Sequence, residues 1–182
     1  MQILIISASV RLDRQSHKVA LFFQQYIKQQ KLAEVDMADL ATYDFPVFEE
    51  RLENQENPSE SAKKFSAQIV AADAIIIVTP EYNSGYPASL KNALDLITWE
   101  WKHKVIGLAT ASSGMFGDIH AQLLLLPIFL KLRAIISPVV FPNPQVQINY
   151  DDAGNPKDPE SVHKRADAFL GEMLWLAGAL KK

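Results

Sequence analysis

The sequence predicts an open, doubly wound α/β fold, because short apolar segments alternate with amphipathic ones along its whole length. The runs Ile3 to Ser7 and Ala74 to Val78 are apolar almost throughout, as strands buried on both faces of a parallel sheet require. Between them Val19, Phe22, Phe23, Tyr26 and Ile27 recur at the spacing of one helix face.

The elements follow in order. The strand Ile3 to Ser7 feeds the helix just described, and a short strand near Glu34 to Met37 leads into a polar loop carrying Pro46. Asn57-Pro58-Ser59-Glu60 reads as a helix start. Asn57 can cap it, Pro58 suits the first turn and Glu60 complements the positive terminus. That helix ends near Ala72. Ile75, Ile76, Ile77 and Val78 form the strongest strand of the chain. A helix over Ser89 to Trp99, a strand over Val105 to Ala109 and an apolar helix from about Ile119 to Leu132 come next, the last kinked by Pro127. Ile135 to Phe141 reads as a fifth strand, Pro142 to Pro159 as a long loop and Ser161 to Leu180 as the closing helix. Right-handed crossovers leave few topologies for five such units. The commonest is a flavodoxin-like three-layer sandwich, its parallel sheet ordered 2-1-3-4-5 with helices on both faces.

With 182 residues the expectation is a single domain spanning 1–182. The absence of cysteine excludes a thiolate nucleophile, a disulfide framework and Cys-based metal sites. Redox chemistry would therefore need a bound cofactor. A net charge of -3 argues against nucleic acid as partner. No apolar run approaches the roughly 20 residues of a membrane span. The start Met1-Gln2-Ile3-Leu4 lacks the basic region of a signal peptide, so a cytoplasmic location is expected. His17, His103, His120 and His163 show no paired spacing, and no metal site is expected.

In such folds ligands bind beyond the carboxyl ends of the strands, where the winding reverses. Three segments fall there. Ser7 to Lys18 holds three hydroxyls and four basic groups ahead of a helix, a place where free N–H groups and the helix dipole favour an anion. Arg11 can add a bidentate contact to phosphate. The loop has no glycine, so it suits a terminal monophosphate such as that of FMN better than a dinucleotide. Its plainer reading is a polar turn in which Ser16 merely caps the helix. Thr79 to Pro87 has two prolines and a glycine, a stiff backbone able to hold N–H groups against a flat ring, with Tyr82 placed to cover a ring face. Thr110 to Asp118 has small residues and two glycines that permit close approach.

The run Thr79-Pro80-Glu81-Tyr82-Asn83, followed by Pro87 and Leu90-Lys91-Asn92-Ala93-Leu94-Asp95, resembles the hallmark of NADPH-dependent FMN reductases. Ser9-Val10-Arg11 with Ser16 resembles that family's phosphate loop, and Asp36 to Leu40 and Asp151 to Gly154 fall where its pattern puts them. The resemblance implies that Ser9, Arg11, Ser16 and His17 hold the FMN phosphate. It implies that Pro80, Glu81, Tyr82 and Asn83 line the isoalloxazine, and that Ser112, Ser113, Gly114 and Gly117 close the pocket. Two departures stand out: Gly117-Asp118 where the family usually has paired glycines, and no basic residue within Leu123 to Leu126.

The activity implied is transfer of hydride from NADPH or NADH through flavin N5 to a quinone or similar small acceptor, or to FMN. No protein residue need act as a catalytic acid, and Glu81 is expected to position rather than to donate a proton. A different class of function is a flavin electron shuttle or a redox-sensing binding protein. The mild charge speaks against the shuttle. The leucine run Leu123 to Leu126 is apolar around more than one helix face, which predicts a homodimer or homotetramer.

Overall fold

The computed structural model describes residues 1–115 and 119–181. Its strands are β1 (Gln2–Ser7), β2 (Glu34–Asp39), β3 (Ala74–Pro80), β4 (Val105–Ala111), β5 (Ile135–Ile136) and β6 (Phe141–Asn143). The helices are α1 (Ser16–Gln29), α2 (Glu60–Ala71), α3 (Ala88–Leu96), α4 (Ile119–Lys131), the short α5 (Val146–Asn149) and α6 (Pro159–Leu180). The sheet runs β2-β1-β3-β4-β5, parallel throughout, with β6 also paired to β4. That is the expected flavodoxin-like order.

The all-apolar strands explain the layers. β1 from Ile3 onward, and all of β3 and β4, are buried, so the sheet needs cover on both sides. On one side α1 and α6 pack Phe22, Phe23, Phe169 and Met173 against Ile3, Ile5, Ile76 and Val105. On the other, α2, α3 and α4 bring Phe65, Leu90, Leu125 and Phe129 against Leu4, Ile6, Ile75 and Ile77. Gly107 of β4 marks how closely α6 approaches: a Cβ there would lie 2.2 Å from Met173 Sδ and 2.6 Å from Phe169 Cζ.

Four local expectations are corrected. Ser59, not Asn57, caps α2, because Ser59 is still extended and its hydroxyl accepts from the Ala62 N–H at 3.1 Å. The third helix stops at Leu96 and a 3₁₀ turn carries Trp99–Trp101, burying Trp101 and leaving Trp99 60% exposed. The fifth strand is broken: Ser137 still donates to Ile106 O at 2.8 Å, then Pro138, which has no N–H, interrupts the ladder before β6. The 142–159 stretch is not all loop, since α5 lies within it. Pro127 sits inside a helix that runs on without interruption, although it cannot donate to the Leu123 carbonyl.

The loop after α5 folds back onto α1. Gly154 has φ +88°, and a Cβ there would lie 2.7 Å from Lys18 O and 2.8 Å from Phe22 N. The helix whose N-terminus faces the predicted anion site is thus held from behind by the chain 130 residues later, roughly the separation of Lys18 from Gly154.

Candidate functional site

At the carboxyl end of the sheet the loops after β1, β3 and β4 converge on one cleft. Arg11, Asp13, Arg14, Gln15 and Ser16 form one wall, Pro80, Glu81 and Tyr82 a second, and Ala111, Ser112, Ser113 and Gly114 a third, with Val146 of α5 at the edge. Its volume is about 180 Å³. A cavity of about 250 Å³ behind the 45–57 loop is larger, but its polar lining is two carboxylates, three amides and the Ser59 hydroxyl, with no cation. The smaller cleft is where cation, hydroxyl and helix terminus meet.

The first wall is braced from several sides. The Ala8 N–H donates to Val78 O at 2.9 Å, and the Ser89 hydroxyl donates to Ala8 O at 2.6 Å. Ser9 is fully buried, and its hydroxyl shares a 2.6 Å hydrogen bond with the Tyr82 phenol. Arg14 donates to Ser9 O at 3.0 Å and grips both carboxylate oxygens of Asp39, Nη2 reaching Oδ2 at 2.5 Å. This fork-to-fork pair exists because the register sets Ser7 beside Asp39 across β1 and β2. Arg14 is therefore committed to the protein. The Arg11 guanidinium, 5.6 Å above the Tyr82 ring, faces the cleft.

Ser16 does not cap α1. The residue before it, Gln15, is helical at φ -72°, and no side chain caps this terminus. Ser16 is the first residue of the helix, and its hydroxyl is buried without a hydrogen-bond partner among the described residues. An orphaned hydroxyl costs about 1–3 kcal/mol. The Lys18 N–H already donates to Gln15 O at 3.1 Å, but the Ser16 and His17 N–H groups beside the hydroxyl lie too early in the helix for an intrahelical acceptor. An anion placed there would satisfy all of them.

His17 lies behind the loop rather than in the cleft lining. Its Nδ1 is 3.0 Å from Ser7 Oγ and 3.9 Å from Asp39 Oδ2. Burial first, then the Arg14 charge, lowers its pKa from the ordinary 6.5, against the pull of Asp39. An unfolded chain then takes up a proton that the folded chain refuses. Stability is full above about pH 6.5 and falls as the pH drops from there toward the lower folded-state value. His17→Gln should flatten that part of a urea-midpoint-versus-pH curve; an unchanged slope would show that another group causes it.

The second loop is a two-residue hairpin. Tyr82 and Gly85 exchange backbone hydrogen bonds at 2.7 and 3.0 Å, while Asn83 (φ 50°) and Ser84 (φ 62°) occupy the left-handed positions of a type I′ turn. Asn83 is exposed at the tip and is not part of the cleft lining. Glu81 caps α4: its Oε2 accepts from the His120 and Ala121 N–H groups at 3.1 and 3.2 Å, and Oε1 is 3.3 Å from His120 Nδ1. Tyr82 is a strut between two loops, bonded to Ser9 and overlaid by Arg11.

The third loop is held by Asn143, Gln145 and Val146, all within the 142–159 stretch. Ser112 donates its N–H to Asn143 O at 3.0 Å, Val146 N–H donates to Ser112 O at 2.9 Å, and Gln145 N–H donates to Gly114 O at 3.0 Å. Among the described residues a Cβ on Gly114 would meet nothing within 4 Å, and Gly114 lines the cleft. Gly117 lies outside the described residues.

Of the expected site residues, Arg11, Ser16, Pro80, Glu81, Tyr82, Ser112, Ser113 and Gly114 are brought together. Ser9 and His17 stand behind the wall, and Asn83 stands at its rim. Arg14, Asp39 and Val146 were missed. Only the crowding of basic residues in the first loop hinted at Arg14, and its partner lies 25 residues away.

Orphan hydroxyl, free cation, helix N-terminus and open glycine together fit a flat cofactor carrying one terminal phosphate. The fold and cleft thus define a flavodoxin-like protein of the flavin-mononucleotide-binding class. The model of the NADPH-dependent FMN reductase family matches residues 1–150. The chain belongs to that family. It is 32% identical over 136 residues to an NAD(P)H-dependent FMN reductase of Schizosaccharomyces pombe, covering 72% of this chain and 68% of that protein. A quinone reductase of Pseudomonas putida is 29% identical over 163 residues, covering 85% and 83% of the two chains. Among solved structures, FerB of Paracoccus denitrificans, a flavoenzyme NAD(P)H:(acceptor) oxidoreductase, superposes with a TM-score of 0.76 at 23% identity, covering 96% of each chain. That last likeness bears on the fold.

Proposed function

We propose that this chain is an FMN-dependent oxidoreductase, drawing on NADPH or NADH and delivering to a quinone or a similar small acceptor. The observation that carries the reading is the unpartnered Ser16 hydroxyl beside Arg11 at the uncapped start of α1. Arg11, the Ser16 hydroxyl and the N–H groups of Ser16 and His17 hold the phosphate. Pro80, Glu81 and Tyr82 face one side of the ring system, with the Asn83 turn at the rim, and Ser112, Ser113 and Gly114 close the other. Bound FMN supplies a centre that can take hydride from a reduced nicotinamide and release reducing equivalents to an acceptor. The protein's part is orientation and exclusion of water, and no side chain is asked to form a covalent bond.

The cleft of about 180 Å³ is below the roughly 300 Å³ at which ligand pockets usually begin. It encloses the phosphate end and leaves room for nicotinamide and acceptor to alternate at the open side. We further propose a homodimer or homotetramer, supported by the apolar outer face of α4, where Ile119, Leu123, Leu124 and Leu130 are about half exposed or more. Among the described residues no helix is long and apolar enough to cross a membrane. A cytoplasmic setting and a single domain over 1–182 accord with this reading.

Two measurements test it. Purified protein mixed with FMN should carry the yellow chromophore through gel filtration and oxidise NAD(P)H rapidly with menadione. Retained flavin without turnover would favour the electron shuttle, and no retained flavin would remove both. Ser16→Ala should stabilise the cofactor-free protein by about 1 kcal/mol while weakening FMN by a similar amount, because the same hydroxyl is orphaned in one state and bonded in the other. Equal signs in the two measurements would break the phosphate assignment.

A further inference from the structure

A second concave site lies at the opposite end of the sheet. A basin of about 400 Å³ is walled by Arg51, Lys102, Lys131 and Arg133, with Asp95 and the indole of Trp99 at its side. Three features suit it to a planar anion. All four cations are exposed, and none forms a salt bridge among the described residues, in a chain whose net charge is -3. The one carboxylate of the lining, Asp95, is already paired with Lys91. Trp99 is 60% exposed, although Trp101, two residues on, is completely buried. A helix C-terminus accounts for a cation at Lys131, the last residue of α4, but not for the other three.

The basin is fixed in shape. The His103 N–H donates to Arg133 O at 2.9 Å and the Ile135 N–H donates to Lys104 O at 2.8 Å, locking the turn before β4 to the turn before β5. Cations in such an array attract oxyanions, and an indole face stacks a planar heterocycle. The volume lies within the range of small-ligand pockets. We propose that this basin binds a nucleotide phosphate, with the base on Trp99 and the phosphates among Lys102, Lys131 and Arg133. The site is separate from the flavin cleft. β4 alone spans about 20 Å between them, from its rise of roughly 3.3 Å per residue. A nucleotide filling the basin does not reach the cleft, so it is not the hydride donor.

The test uses protein saturated with FMN, so that the cleft is filled, and ADP as the probe in isothermal titration. One ADP per chain is expected, with affinity falling as sodium chloride is raised. Lys102→Gln/Lys131→Gln should weaken ADP tenfold or more and Trp99→Ala threefold or more, with FMN retention and menadione turnover unchanged in each. The proposal fails if no ADP binds at concentrations up to about 1 mM, a limit of roughly -4 kcal/mol. It fails if excess FMN displaces the ADP or if the double variant binds it as well as wild type does. It also fails if the double variant changes the oligomer size on gel filtration, because the basin is then an interface between copies.

Discussion

Arg14→Ala should lower the unfolding free energy by about 2–3 kcal/mol, and the double variant Arg14→Ala/Asp39→Ala should lower it by less. Arg14 and Asp39 are each under one-fifth exposed, so removing one partner leaves the other charge poorly solvated. Only the pair's removal spares that cost. The figure is below the 3–5 kcal/mol of a fully buried pair because some solvent reaches both groups. FMN affinity should fall in parallel in Arg14→Ala, since an unbalanced Asp39 carboxylate then faces the phosphate and Ser9 loses its brace. Urea unfolding of the four members of the cycle gives the coupling. A double variant less stable than Arg14→Ala would mean that the two residues act independently.

Gly154→Ala should cost about 3 kcal/mol. Its φ of +88° is strained for any L side chain, at roughly 1–2 kcal/mol. The added methyl also meets backbone atoms of α1 at 2.7 and 2.8 Å, and backbone cannot swing away as a side chain end can. The loop or the helix must shift. Because the moved helix begins with Ser16, FMN binding should weaken together with the urea midpoint. A variant of wild-type stability would show that the loop relaxes freely and does not support α1.

The parts of this molecule that the sequence made legible are those decided by local pattern. A β-branched run such as Ile75 to Val78 cannot face water on either side, and the helix stripe from Val19 to Ile27 has one face to bury. Five such units joined by right-handed crossovers then leave few sheet orders, and with the order comes the rim at which three loops meet. What stayed hidden was decided by partners far along the chain. Asp39 reaches Arg14 only through the pairing of β1 with β2, which no spacing announces. The third loop's support from Asn143 to Val146 depends on where β6 leaves the sheet. The Asn57 cap went wrong for a subtler reason. Two capping residues flank Pro58, and the extended backbone at Ser59 decides between them. At Asn83 the turn gives a local reason for the residue, since asparagine tolerates the left-handed conformation better than most residues. No short-range pattern shows that Tyr82 also bonds across to Ser9, 73 residues away.

The braces on the Ser9 loop bear on the entropy of ligand capture. Hydrogen bonds to Val78, Ser89, Tyr82 and Asp39 already hold that loop's form from within the polypeptide. Because these braces are internal to the polypeptide, little conformational freedom of the loop is left to lose when a ligand settles against it, and that saving favours tight association.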